Sequence, residues 1–566
     1  MFVQLFGKRA LGAVCMSTLL GLAGGGACTG GQDTNGAGGD DAADNDAAGA
    51  SGASGLSKVL PAPATPGLWR LTPRQYHNAL RSLLGSDVAL PELKKEQSAG
   101  GLAAIAAGTT TATGQDVEGY EALASGLASK VLGNASTRQA FAGCKTSEPD
   151  EACSKAFLGT FGKRAFRRPL SAPELERFVK LANTARELSG DAWMGLQTAV
   201  AAILQSPKFL YRFEQGTPDA KSGRNVLDAF ERASRLAFFI TDTLPDDELL
   251  AAAEKGDLMN AAGLQQQAKR LWNQNDARKM WRSFIEENYR LDDLDRGAAP
   301  ASAALLTSMK EEVLRSAESV AFDANTSFLD FFTRRQTFVD PALRSHYGLP
   351  GVGSGFALAS FPDEQQRVGF FGTAAFLTMT STALHTSPTA RGKFVRERIL
   401  CEEVPAPMAG VNTSLPPTSP TVRTTRERLE LHRQNPECAA CHDFMDPPGF
   451  AFERFDQVGK YRTTENGADI RTDGHLDPAG KEDAFDGPQQ LAELLINQTG
   501  TAACLARGLL RQSTGYLHAR MDEDKDMALV DGLGAALKDR NFAIESFLMD
   551  LVASDVFVTR QSEETL

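Results

Sequence analysis

Apolar positions recur every three to four residues through most of this chain, the spacing that places them on one face of a helix. The first clear case opens at Leu71-Thr72-Pro73-Arg74-Gln75-Tyr76, where Thr72 is placed to cap and Pro73 fills the first helical position. Tyr76, Leu80, Leu83 and Leu84 then form one stripe. Ser171-Ala172-Pro173-Glu174 reads as a capping box, and its stripe continues through Leu175, Phe178 and Leu181. The same patterning predicts helices over 191–212, 226–241, 245–254, 262–292, 303–323 and 326–334. Towards the C-terminus it predicts helices near 389–400, 423–434, 487–497, 501–513 and 541–554. Alternating, strand-type patterns are few, and no fixed period marks a solenoid. Stretches rich in Gly, Pro, Ser and Thr at 348–363 and 404–422 read as loops. Seams between units are expected near 135–155, 216–225, 349–366 and 464–485. The expected fold class is mainly α, a multidomain helical protein.

The pattern changes at the N-terminus. Lys8 and Arg9 precede a short apolar run, Leu11 to Leu22, and small residues lead on to Cys28. The run is too short for a permanent membrane span, so residues 1–28 are expected to be an export signal. Gly25-Gly26-Ala27-Cys28 resembles a bacterial lipoprotein cleavage site, with Gly25 where leucine is usual. Cys28 is therefore a candidate lipid anchor, the alternative being the end of an ordinary signal. Residues 29–66 are mostly Gly, Ala, Asp and Ser and cannot bury enough apolar surface to fold. They are expected to be a disordered linker, and a random coil of that length reaches on the order of 30 Å. No later run of apolar residues is long enough to predict a second span. The expected location is the periplasm or the outer membrane and cell surface.

Composition narrows the partners. A net charge of −12 over 566 residues argues against a nucleic-acid partner, which needs a basic face. Four Trp and seven Tyr stand against 32 Phe, so composition gives no positive support for an aromatic sugar-binding platform.

The chemistry concentrates in PECAACHDFMDPPGFAFERFDQVGKYR, Pro436 to Arg462. Cys438, Cys441 and His442 make C-x-x-C-H, the pattern by which a chain is fastened covalently to a c-type haem. Two thiols one helical turn apart can each add to a haem vinyl group, and the next residue, His442, can then reach the iron as proximal ligand. Two other chemistries use such a pair. A redox or structural disulfide is one, although no βαβ pattern surrounds it. Zinc is the other, although no second cysteine or histidine pair lies nearby. No catalytic residue is assigned.

For haem, the second axial position needs a ligand. His475 is the first candidate, with His518, Met521, Met527, His432 and Met408 behind it; Met445 lies on the histidine's own side and reads as packing. Asp446-Pro447-Pro448-Gly449 reads as the end of the helix and a turn. Phe450, Phe452, Phe455 and Val458 supply apolar surface for a haem or a core. Arg462, beside Tyr461, is either a partner for a haem propionate or a surface charge.

Eight cysteines are present in all. Cys144 and Cys153 flank a short polar loop and are expected to pair in an oxidising compartment. Cys401 and Cys504 remain and form either a bridge or two buried thiols. Zincin, nucleophile-elbow, phosphate-loop and dinucleotide motifs are missing from the sequence.

The chain as a whole resembles exported multidomain proteins, common in planctomycetes and myxobacteria, built from domains of unknown function 1587, 1595, 1592, 1588 and 1585. LTPRQYHNALRSLLG resembles the first, AFRRPLSAPELERFVKL the second, and ASRLAFFITDTLPDDELLAAAEKGDL the third. RVGFFGTAAFLTMTSTALHTSPTARGKFVRERILC, with the C-x-x-C-H stretch, resembles the fourth, and CLARGLLRQSTGYLHAR the fifth. The resemblance implies helical domains at 67–135, 155–215, 224–349, 365–463 and 484–556. It implies export and a cytochrome-c-like segment holding one covalent c-type haem at Cys438, Cys441 and His442. It implies no reaction, and neither a redox partner nor an oligomeric state follows from it.

Overall fold

The computed structural model describes residues 68–86, 88–90, 101–109, 112–294, 301–323, 326–351, 353–405, 414–477, 483–514 and 523–561. The expected signal, linker and lipidation site at Cys28 lie outside these residues. Within them the protein is mainly α. The capping box at Thr72 is a Thr–Gln pair: Gln75 N donates to the Thr72 hydroxyl, and Thr72 N donates to Gln75 Oε1, both at 3.2 Å. Tyr76, Leu80, Leu83 and Leu84 are buried, as their spacing predicts.

The core forms two clusters rather than one per sequence segment. The first joins the helices Pro73–Leu84, Gly114–Leu132, Glu151–Phe166 and Ala192–Gln205. The second runs from Ala233 to Phe557 and takes in Leu102 and Ile105. The expected seams near 349–366 and 464–485 therefore interrupt no core. The helix Ala229–Ile240 serves both clusters, with Phe238 in the first and Leu236 and Phe239 in the second. Strands are short and antiparallel. Thr559–Gln561, from the C-terminal region, pairs with Arg224–Val226, and that strand also pairs with Thr217–Asp219. Arg235 reinforces this closure by donating to the Phe557 and Thr559 carbonyls and to Glu214.

Two disulfide bridges form among the described residues, one local and one long-range. Cys144 is bonded to Cys153 across the expected seam near 135–155, and Cys401 is bonded to Cys504, 103 residues on. No helix among the described residues is long and apolar enough to cross a membrane.

Some predicted helices are shorter. The expected 191–212 helix ends at Gln205, because Ser206 caps a new turn at Pro207–Leu210 and the chain then enters strand Tyr211–Phe213. The expected 262–292 helix divides into Ala261–Trp272 and Asn275–Asn288. Glu523–Asp539 is helical without having been predicted. Its glycines weakened the signal, yet a Cβ at Gly534 would lie 2.8 Å from Ala503 backbone, so close packing demands the residue that propensity disfavours.

Candidate cofactor-attachment site

Cys438, Cys441 and His442 stand on one helix, Pro436–Phe450. Asn435 caps it, its side chain accepting from Glu437 N at 3.0 Å, and Pro436 takes the first position. The cysteine spacing puts both thiols on one face. Cys438 is buried, Cys441 is half-buried, and both are free. The other four described cysteines are all bonded.

The helix does not stop at Asp446-Pro447-Pro448-Gly449, as the sequence suggested, but runs through to Phe450. Pro447 and Pro448 have no N–H to give to the carbonyls of Asp443 and Phe444, four residues back. A neighbouring side chain supplies one donor: Arg396 Nε bonds the Phe444 carbonyl at 3.1 Å, with its guanidinium 4.0 Å over the Phe444 ring. Packing also replaces the expected turn at Gly449. A Cβ there would lie 1.9 Å from the Pro388 carbonyl, and a Cβ at Gly392 would lie 1.7 Å from the Met445 carbonyl. The helix Pro388–Phe394 and the attachment helix thus meet backbone to backbone through reciprocal glycines.

That contact brings Thr389 to the site. Its hydroxyl donates to Asp446 Oδ1 at 2.7 Å, and Asp446 is fully buried. One turn back, His442 Nδ1 lies 3.0 Å from Asp446 Oδ2 and 3.1 Å from Oδ1. A carboxylate only accepts, so Nδ1 carries a proton, and in the neutral imidazole Nε2 is then the nitrogen with the lone pair. This is the arrangement that orients a metal-ligating imidazole and raises its basicity.

A second histidine completes the neighbourhood. The His432 ring, at the end of helix Thr425–His432, is 4.8 Å from the His442 ring and nearly perpendicular to it. Burial, and then the adjacent His442, hold His432 below the usual histidine range, which favours its neutral form. Rings in contact at this distance leave no room for a porphyrin plane between them, so His432 does not face His442 across an iron here. Arg433 joins Asp443 at 3.0 Å and fixes the same hairpin.

The other expectations fare unevenly. His475 ends strand Asp473–His475, which packs beside the far end of the attachment helix, where a Cβ at Gly474 would lie 2.5 Å from the Pro447 carbonyl. Met445 is buried as packing, and Met527 is exposed on Glu523–Asp539. Met408, His518 and Met521 lie outside the described residues. Phe452 and Phe455 belong to the main core and are wholly buried, which removes them from any cofactor surface. Arg462 is held by its own segment: Nε donates to the Glu453 carbonyl at 3.0 Å, and the guanidinium reaches the Glu453 and Glu465 carboxylates.

The donor set, two unpaired thiols and an imidazole of fixed tautomer, fits covalent attachment of a haem with His442 as ligand. Among the described residues no three His, Cys, Asp or Glu side chains are grouped to hold a metal ion by themselves. The sequence singles out neither Thr389 nor Gly392, and it marks Asp446 only as part of a helix stop. A histidine followed four residues later by an aspartate on a helix is the signal that was available.

Four segments match family models, each described as a protein of unknown function: DUF1587 over 69–133, DUF1595 over 153–214, DUF1592 over 227–349 and DUF1588 over 367–465. The last contains Cys438, Cys441, His442 and Asp446, together with Thr389 and Gly392 from the packing helix. No curated protein and no solved structure matches the chain. The chain belongs to the multidomain proteins that carry the domains of unknown function 1587, 1595, 1592 and 1588 in this order.

Proposed function

We propose that this protein holds one c-type haem, attached through thioether links at Cys438 and Cys441 with His442 as proximal ligand, and serves electron transfer or redox chemistry in the cell envelope. The observation that carries this reading is the pair of free thiols one turn apart, beside an imidazole whose Nδ1 is committed to the buried Asp446. Bound there, the haem would supply one-electron chemistry at iron. The chain's own residues have distinct tasks. The thiols tether, His442 presents Nε2, Asp446 fixes the imidazole, and Thr389 fixes Asp446.

Export belongs to the same reading, since covalent haem attachment in bacteria takes place outside the cytoplasm. Residues 1–28 would direct it, Cys28 would carry a lipid, and 29–66 would tether the folded part. The segment 484–556, which resembles domain 1585, would complete the array.

The test is a pyridine haemochrome spectrum of protein exported from a cytochrome-c-maturing host, beside a Cys438→Ala/Cys441→Ala control. An α band at about 550 nm, lost in the control, is expected for two thioether links. Colourless protein from a host that loads another c-type cytochrome would overturn the proposal. It would leave the two cysteines to a structural disulfide and the chain to a non-enzymatic scaffold role.

A further inference from the structure

We infer that Arg398, Arg507 and Arg511 form a binding site for a doubly charged oxyanion of the phosphate class. Arg507 and Arg511 are four residues apart on the helix Thr499–Thr514, so their side chains leave the same face. Arg398 joins them from the π-helical turn Val395–Ile399. One covalent link locks that turn to the helix: Cys504, one turn before Arg507, is bonded to Cys401, and its Sγ lies 3.5 Å from the Arg398 carbonyl oxygen.

The three charges are not balanced. Among the described residues no carboxylate pairs with any of the three, and the Nε atoms of Arg398 and Arg511 are buried without a hydrogen-bond partner. The two acids whose charges reach Arg398 are themselves paired elsewhere: Glu397 with Lys393 at 3.5 Å, and Asp293 with Arg290 at 2.6 Å. Burial, and then mutual repulsion, push Arg507 down to about 10 and Arg511 to about 9. Arg398 is lowered by burial and by Arg290 beside it. Half-buried like charges with unmet donors cost free energy that a bound anion recovers.

The chemistry of the anion follows from count and shape. A monoanion would leave two of the three charges uncompensated. Guanidinium forks match the spacing of tetrahedral oxyanions and bind them through paired N–H donors. The Gly101 backbone packs against the Arg398 guanidinium, with a φ of +95° that suits glycine and a position where a Cβ would lie 2.4 Å from Nη1. A side chain there would collide with the guanidinium.

The experiment is calorimetric titration of the full chain with inorganic phosphate at fixed ionic strength, repeated with sulfate and with chloride alone. The expected result is one saturable site for phosphate and sulfate, none for chloride, and a Kd at least tenfold weaker in Arg507→Gln and in Arg511→Gln. Both ligand-free variants should unfold no earlier than the parent, because each loses a repelling charge. Arg511→Lys keeps the charge without the fork and should bind less tightly than the parent, which preserves the test if a Gln variant fails to fold. No saturable phosphate binding, or unchanged affinity in the variants, would overturn the site.

Discussion

The Asp446 carboxylate lies 3.0 Å from Nδ1 of His442, one turn back on the same helix, and has no exposure to solvent. A buried carboxylate in that position makes the imidazole a stronger donor and favours the higher charge on any iron it ligates. Asp446→Asn keeps the size and an accepting oxygen but removes the charge. In the haem-loaded protein proposed above, covalent attachment should persist and the reduction potential should rise. A loss of about 1.4 kcal/mol of preference for the oxidised state is ~60 mV for one electron. Potentiometric titration of the two proteins checks it, and an unchanged potential would remove Asp446 from any tuning role.

The reciprocal contact of Gly392 and Gly449 gives a second prediction, independent of any cofactor. A Cβ at either position meets a carbonyl oxygen of the facing helix at under 2 Å, as the 1.7 Å and 1.9 Å separations show. These are backbone atoms and cannot swing aside, so the helices must part. Gly392→Ala and Gly449→Ala should each cost about 1–3 kcal/mol or more. Thermal unfolding measures the loss. Parting the helices would also draw Thr389 from Asp446, so haemochrome yield should fall in step.

Much of this site was legible in the sequence, but not all for the same reason. Cys438, Cys441 and His442 announce themselves because thioether chemistry fixes their spacing, and spacing is local. Asp446 is local too, but it was read with Pro447 and Pro448 as a helix stop. That reading used the propensity of proline, and a distant arginine overrode it: Arg396 bonds the Phe444 carbonyl that Pro448 cannot. Gly449 was read as a turn because glycine usually frees φ, whereas here its value is the absence of a side chain facing Pro388. The merging of five sequence segments into two cores was equally out of reach, because it depends on which apolar faces meet and not on which residues are apolar. Stripes such as Tyr76, Leu80, Leu83 and Leu84 say only that a face is buried.

Glu214 carries a prediction in acid. It accepts from Arg235 Nε at 3.0 Å and Arg212 Nε at 3.2 Å, and all three side chains are almost wholly buried. Burial alone would raise its pKa, but the two guanidinia outweigh burial and hold the carboxyl at about 2. A carboxyl depressed in the folded state stabilises above its ordinary value near 4.5, and that contribution is lost as pH falls towards 2. Stability should therefore decline through this window, by at most ~1.4 kcal/mol per pH unit from this group. Glu214→Gln should remove that slope. At neutral pH it should cost about 3–5 kcal/mol, because Arg212 and Arg235 are left buried without a counter-charge. Denaturant melts from pH 3 to 7 test both statements.

Glu312 should behave with the opposite sign. It is fully buried between Thr337 and Tyr347, whose hydroxyls lie 2.8 Å and 2.7 Å from its two oxygens. Here burial outweighs those bonds and pushes the carboxyl up to about 8. The folded state therefore holds a proton that the unfolded chain releases near 4.5. Its contribution is complete below that pH and is lost as pH rises through about 8. Glu312→Gln keeps a neutral side chain of the same shape at every pH. The variant should match the parent near pH 4.5 and exceed it at pH 8 by roughly 1–3 kcal/mol, a discounted share of what such a shift allows. Urea melts of both proteins at pH 5 and pH 8 decide it. A variant weaker at both values would mean that Glu312 is charged in the fold, with Tyr347 and Thr337 as its needed donors.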